Sequence, residues 1–536
     1  VFNLLGNKDK VKYKVRYQVM SMHMFNYPKT KIVCTIGPAS SSFDALKQLI
    51  EAGMTIARLN FAHGSFEDHA AIVRHIRHAA HELQRNVAIL LDLPGPKIRL
   101  GRLTQEPLIV HANDEICMSI EPTPPEPCLP IQINARTRNN QGNAADLFMK
   151  ALKPDHIIYI NDGMVQLAVR DVQPPLIHCK VLVGGVLMSH KGVNLPGVDM
   201  DISAITDRDR EAIDFAAQHA VDAVSLSFVQ NAKDIHELQG ILTGLGYDPF
   251  IIAKIERMQA VADIEDILEK ADGIMVARGD LGVETPIEEM AMVQKRLIAK
   301  ANEAGKPVIL ATQMLESMLH NRRPTRAEAT DVANAILDGA DCVMLSEETA
   351  IGEYPVETVK MMTAIATATE KGFLMHAGAG TSACHSAYYS DGQARGIAPT
   401  TAVKDIISTS VKNAVAHLQV AVVMIPTQSG TTVRRISRLR LPVWLAAFTD
   451  SAQICRHLLF SWGAAPFYLK KLPENWPDYA QQLVKQHALK GEFMILVRGP
   501  AMLAFRERHE DEGGTGQHNS HADHETYRFE VIRLRS

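Results

Sequence analysis

Eight short runs of almost unbroken apolar and β-branched residues mark out the first two-thirds of the chain. They are Lys31–Ile36, Ile56–Phe61, Val87–Asp92, Ala223–Phe228, Phe250–Ile255, Gly273–Ala277, Pro307–Thr312 and Cys342–Ser346. Runs without polar alternation suit parallel strands covered on both faces. Amphipathic stretches lie between them, including Ser42–Glu51, Glu67–Gln84, Asp209–His219, Lys233–Thr243, Gln259–Glu269, Glu288–Glu303, Arg326–Leu337 and Pro355–Lys371. Each is long enough to be a crossover helix. Eight strand–helix units predict an α/β chain built on a closed (β/α)8 TIM barrel, over residues 29–100 and 189–372.

The rhythm breaks after the third strand. Between Asp92 and Asp209 stand a Pro-rich turn region (Glu121–Pro130), a short alternating strand (His156–Tyr159) and turn glycines at Asn161–Gly163 and Gly184–Gly185. Residues 101–188 therefore read as a small β-barrel domain inserted in a βα loop. Such loops sit at the catalytic face of a barrel, where an insertion can serve as a lid. Residues 1–28 read as an N-terminal extension, 373–396 as a linker and 397–536 as a C-terminal α/β domain. In that domain Thr401–His417 predicts a helix, and Val420–Ile425, Val443–Phe448, Phe493–Arg498 and Arg528–Leu534 predict strands. The polar run Arg508–His524 predicts an exposed loop.

Composition narrows the function classes. The 536 residues are 46% hydrophobic and 22% charged, with a net charge of -4, so no strong global field recruits nucleic acid or anionic lipid. No 18-residue uncharged stretch predicts a membrane span, and the first 28 residues lack the apolar run of a secretory leader. Seven cysteines (34, 117, 128, 179, 342, 384 and 455) are scattered singly, with no CxxC pair. That usage fits a reducing compartment and predicts a cytoplasmic protein.

Polar residues gather where the predicted strands end. Arg58 and Asn60 close the second strand, Asp92 the third, and Lys254 and Glu256 the fifth. Arg278, Gly279 and Asp280 follow the sixth, Thr312 the seventh and Ser346 the eighth. In a barrel these ends converge on one rim. Glu256 and Asp280 come from neighbouring strands, so a divalent cation such as Mg²⁺ or Mn²⁺ and a pair of structural ion pairs are both open readings. Lys254 shares a strand face with Glu256 and suits a phosphoryl group or a developing enolate. Arg99 and Lys191 sit at the two hinges of the insertion. In the C-terminal domain the hydroxyl-rich turn Thr427, Ser429, Gly430, Thr431 and Thr432 follows a strand, and either a phosphate loop or a plain connection fits it. No Walker motif and no Ser-centred nucleophile elbow occurs.

The ordered stretches TKIVCTIGP (Thr30–Pro38), GMTIARLNFAHG (Gly53–Gly64), DLPGPKIR (Asp92–Arg99) and KGVNLPG (Lys191–Gly197) resemble pyruvate kinases. So do IAKIE (Ile252–Glu256), MVARGDLGVE (Met275–Glu284), LATQMLESM (Leu310–Met318), RPTR (Arg323–Arg326) and DVANAILDGADCVMLSEETAIG (Asp331–Gly352). The resemblance implies transfer of a phosphoryl group from phosphoenolpyruvate to ADP (EC 2.7.1.40), giving pyruvate and ATP in the last step of glycolysis. It also implies a homotetramer.

The same resemblance assigns residues. Arg58, Lys254, Gly279, Asp280 and Thr312 would bind substrate. Lys254, Arg58, Thr312 and Ser346 would act in catalysis, and Glu256 and Asp280 would hold Mg²⁺. Arg99, His63, Lys191 and Asn60 would take the nucleotide. Asn60 and Asp92 match the family's monovalent-cation site. Ala62, Leu93 and Lys97 depart from it, and Lys97 implies activity independent of K⁺. Gln428 departs from the bisphosphate-regulated forms, so a sugar monophosphate or AMP as effector and the loss of effector binding are both open readings. The alternative function is another Mg²⁺-dependent barrel lyase or aldolase acting on phosphoenolpyruvate or pyruvate enolates.

Overall fold

The computed structural model describes residues 24–121, 124, 128–138, 143–198, 200–377, 403–499 and 527–534. Eight parallel strands close into a barrel: β1 (Lys31–Thr35), β2 (Met54–Asn60), β3 (Ala88–Leu93), β15 (Ala223–Leu226), β16 (Phe250–Ile255), β17 (Gly273–Ala277), β18 (Val308–Ala311) and β19 (Cys342–Leu345). Their order round the barrel follows the chain, with β19 beside β1. The strand interiors are buried, which is why their sequences show no alternation. Helices form outside. Their starts carry capping boxes at Ser65, Thr206, Asn231 and Thr325, which satisfy otherwise orphaned N–H groups. The stretch Gln259–Glu269 forms two helices instead of one, Met258–Ala262 and Ile264–Lys270. Asp263 divides them, and its carboxylate accepts from Ala232 N at 2.9 Å. A side chain engaged with a neighbouring helix start competes with continuation of its own helix.

The insertion is a nearly closed β-barrel. Its seven-stranded sheet runs β13 (Val193–Asn194), β9 (Ile157–Ile160), β10 (Val165–Gln173), β11 (Leu176–Val183), β6 (Glu115–Ser119), β7 (Leu129–Asn134) and β4 (Lys97–Leu100). A bridge between Arg99 and Gly192 joins the two ends. Two small ladders complete it: β5 (Leu108–Val110) with β12 (Gly185–Leu187), and β8 (Arg136–Thr137) with β14 (Ile202–Ser203). The lid sheet thus begins at Lys97 and ends at Asn194, so both hinges carry lid strands.

Cys117 and Cys128 form a disulfide, with Cα atoms 4.4 Å apart. This corrects the expectation of singly scattered thiols. The parallel pairing of β6 with β7 brings the two residues together, and linear spacing does not display that contact. Cys34, Cys179, Cys342 and Cys455 are free and buried.

The C-terminal sheet has the order β22 (Ala464–Tyr468), β21 (Trp444–Thr449), β20 (Val420–Pro426), β23 (Phe493–Arg498) and β24 (Arg528–Arg533), the last antiparallel. This domain closes the floor of the barrel. Leu459 and Phe460 pack into the cluster formed by the inward-facing Val33, Ile56, Leu90, Ile252 and Met344. Among the described residues no helix is long and apolar enough to cross a membrane. The helix from Pro355 extends to Ala377, into the expected linker. The loop expected at Arg508–His524 and most of the N-terminal extension lie outside the described residues.

Candidate active site

The strand ends do converge. Asp92, at the end of β3, accepts from Arg58 Nε at 3.0 Å and from Ser225 Oγ at 2.5 Å, and lies 3.6 Å from Lys254 Nζ. Burial alone would raise its pKa, but Lys254, Arg58 and Ser225 outweigh that and hold it down to about 2. Arg58 is also fixed by Thr35, whose Oγ1 accepts from Nη1 at 2.9 Å. Lys254 is buried, donates to Ser227 Oγ at 2.7 Å and lies 2.8 Å from Glu256 Oε1. Desolvation pulls its pKa down, yet Asp92 and Glu256 overcome this and raise it, so the ammonium stays charged.

Glu256 Oε2 accepts from Phe228 N at 2.7 Å. Its Oε1 is buried beside Lys254 without an aligned donor. Asp280 faces the same space, and its pKa is raised to about 6 by burial and by Glu256, against Lys254 and Lys97. A buried carboxylate oxygen held only by the Lys254 ion pair, opposite a second carboxyl group, fits a divalent cation. Among the described residues no three His, Cys, Asp or Glu side chains form a ready cage. Glu256 and Asp280 would therefore hold such an ion as a pair, completed by substrate and water oxygens.

Thr312 and Gln313 have φ of 71° and 54°. A β-branched residue in the left-handed region is strained, and such strain persists where its surroundings over-determine it. Here Gly279 N donates to Thr312 Oγ1 at 2.9 Å, and Arg278 donates to Thr312 O at 2.7 Å. Arg278 is in turn clamped by both oxygens of Asp331. The sequence puts Arg278 on the rim after the sixth strand, but neither quoted motif shows its clamp by Asp331. Ser346 Oγ is buried and has no hydrogen-bond partner.

The residues expected to take the nucleotide fall in two separate spaces. Arg99 and Lys191 line a cleft of about 250 Å³ between lid and barrel, with Lys97, Asp162, Arg257 and Asp280. Arg99 Nη1 donates to His190 O at 2.8 Å. Asn60 and His63 line a second cavity of about 790 Å³, with Thr35, Pro38, Arg58, Ser346 and Glu347. Lys97 faces Asp280 and Glu256, and burial, with Lys254 and Arg99 nearby, lowers its pKa against the pull of those two carboxylates. Asn60 Oδ1 accepts from Ala62 N at 3.1 Å. The C-terminal turn lies apart from this site. Thr427 Oγ1 accepts from Gly430 N at 2.9 Å, Ser429 and Thr431 hydroxyls are 3.0 Å apart, and Thr432 follows in the short helix Thr431–Ser437.

Comparison with known proteins supplies the context. The family model for the pyruvate kinase barrel domain matches residues 27–359, and that for the pyruvate kinase alpha/beta domain matches residues 405–504. A pyruvate kinase of Thermococcus litoralis is 44% identical over 445 residues, covering 82% of this chain and 88% of its own. One from Geobacillus stearothermophilus is 43% identical over 483 residues, covering 88% of this chain and 77% of its own. A crystal structure of a pyruvate kinase from Cryptosporidium parvum superposes with a TM-score of 0.80 at 32% identity, covering 95% of this chain and 96% of the other.

Proposed function

The chain belongs to the pyruvate kinase family, and on that premise we propose that it transfers the phosphoryl group of phosphoenolpyruvate to ADP. The observation that carries this reading is the charged, buried Lys254 held between Asp92 and Glu256, with Asp280 opposite. Phosphoryl transfer needs positioning and charge neutralisation and no covalent nucleophile. Arg58, locked by Asp92 and Thr35, grips the phosphoryl oxygens. Lys254 balances their charge as the bond to the enol oxygen breaks. Glu256 and Asp280 would hold a divalent ion, which when bound would add positive charge beside the carboxylate and enolate oxygens. Gly279 N exchanges its bond to Thr312 for the substrate carboxylate, and Thr312 or Ser346 directs a proton to the enolate carbon. Arg99 and Lys191 hold the nucleotide phosphates as the lid closes, with Asn60 and His63 on the barrel side.

Three finer assignments accompany this. Lys97, facing Asp280 and Glu256, places a fixed ammonium beside the reacting charges and makes K⁺ unnecessary. The turn Thr427–Thr432 receives a phosphate monoester, a sugar monophosphate or AMP. Exposed Ile287 and Met292 on the barrel surface support assembly into a homotetramer. Phosphorus NMR of the full chain with phosphoenolpyruvate, ADP and Mg²⁺ tests the reaction: the β- and γ-phosphate signals of ATP should grow as phosphoenolpyruvate is lost. Loss of phosphoenolpyruvate without ATP would favour a lyase. The rate should not change when KCl replaces a tetraalkylammonium salt at constant ionic strength, and a strong activation by KCl would contradict the role of Lys97.

A further inference from the structure

The lid carries a feature that phosphoryl transfer does not use. Cys117, in β6, is linked to Cys128, just before β7, across the one parallel pairing of the seven-stranded lid sheet among the described residues. That ladder is short: Met118 faces Leu129 and Ser119 faces Pro130, and Pro130 has no N–H to donate. By contrast, β11 pairs with β6 from Leu176 to Lys180, and β4 pairs with β7 along its whole length. The disulfide therefore bridges a weak seam.

What lies beyond the seam bears on the cleft. In the register of β4 with β7, Lys97 stands opposite Asn134 and Arg99 opposite Gln132. Pro130 O accepts from Gly101 N at 2.8 Å, and a Cβ on Gly101 would come within 2.9 Å of the Pro130 ring. The β7 backbone is thus packed directly on the hinge strand, whose Lys97 and Arg99 line the cleft with Asp280. Both linked cysteines are half-buried, within reach of a thiol, whereas Cys34, Cys179, Cys342 and Cys455 are buried.

We propose that the Cys117–Cys128 link is a redox-sensitive staple that sets how firmly Arg99, beside Lys97 on the hinge strand, holds a nucleoside diphosphate. A dithiol reductant opens it. One reductant thiolate attacks a cysteine sulfur, forming a mixed disulfide as the Cys117–Cys128 bond breaks. The second reductant thiol then displaces the protein thiolate. Two electrons and two protons pass to the protein, leaving two cysteine thiols and an oxidised reductant. Released from β6, β7 shifts, and the hinge strand shifts with it. The inference rests on reading the cleft as the ADP site.

Calorimetric titration with ADP tests it on the full chain, after treatment with either dithiothreitol or oxidised glutathione. Peptide mapping after alkylation reports the state of both cysteines. Reduction should weaken ADP binding roughly two- to tenfold, and the C117S/C128S double variant should bind like the reduced form under both treatments. Three results would overturn the proposal: equal ADP affinity in mapped oxidised and reduced protein, alkylation of both cysteines despite the oxidant, or a double variant that still responds to dithiothreitol. Affinity is read without turnover, so failure of ATP formation in the NMR experiment would count separately, against the catalytic reading.

Discussion

Single residues do most of the electrostatic work at the barrel mouth, and their charges can be tested by pH. Asp92 has a folded pKa of about 2 against an ordinary 3.8. A carboxyl group depressed on folding stabilises the protein fully above the unfolded value, and that contribution is lost as the pH falls towards the folded one. Between pH 4 and 2 the chain should lose about 2 kcal/mol from this group alone. Denaturant titrations across that window should show a flatter slope in Asp92→Asn, and an unchanged slope would contradict the pairing with Arg58 and Lys254. The rim residues were readable because a barrel's strand ends must meet, so Arg58, Asp92, Lys254, Glu256 and Thr312 could be placed from strand boundaries alone. The clamp of Arg278 by Asp331 was not readable. It joins residues 53 positions apart, from the end of one strand and the interior of a later helix. The left-handed backbone of Thr312 was equally hidden, since Thr carries no local signal for positive φ.

Secondary-structure elements show where pattern suffices and where packing overrides it. All eight barrel strands stand within two residues of their expected positions at each end, because a strand buried on both faces writes an unbroken apolar run. The edge strand Ala464–Tyr468 was missed. It contains Pro466, which an edge tolerates and a pattern search rejects. Close approach between elements gives a second test. After β1 the chain turns at Gly37, where a Cβ would lie 2.6 Å from Ala350 O and 2.9 Å from Ala350 Cβ. The obstacle is the short helix Glu347–Ala350 that follows Ser346, and part of it is backbone, so it cannot rotate away. Gly37→Ala should lower the melting temperature by several degrees, consistent with overpacking of about 1–3 kcal/mol, and should lower turnover by displacing Ser346. Wild-type stability in this variant, measured by calorimetry, would show that the two segments are less tightly apposed.

At the scale of the whole molecule, the C-terminal domain is part of the barrel's construction. Arg440 is buried and bonded to both oxygens of Asp341, at the foot of β19, while Lys31, at the foot of β1, donates to Ala464 O. Arg440→Ala leaves Asp341 buried without its partner and should cost roughly 3–5 kcal/mol, read as a lower denaturation midpoint. A midpoint like that of the wild type would mean that the Arg440–Asp341 pair does not help to join the domains. The overall architecture was legible because an eightfold repeat interrupted once has few solutions. The lid's disulfide and the seating of Lys97 in a lid strand depend on pairings between strands, which no single run of residues displays. The central claim is that Lys254 neutralises charge during phosphoryl transfer in a pocket shared with Glu256 and Asp280. Its most direct test is the ADP-dependent rate of pyruvate formation at saturating phosphoenolpyruvate and Mg²⁺, in the wild type and in Lys254→Met with its fold checked by circular dichroism. The account predicts that the folded variant loses roughly 10²- to 10³-fold in kcat; a folded variant turning over at the wild-type rate would contradict it.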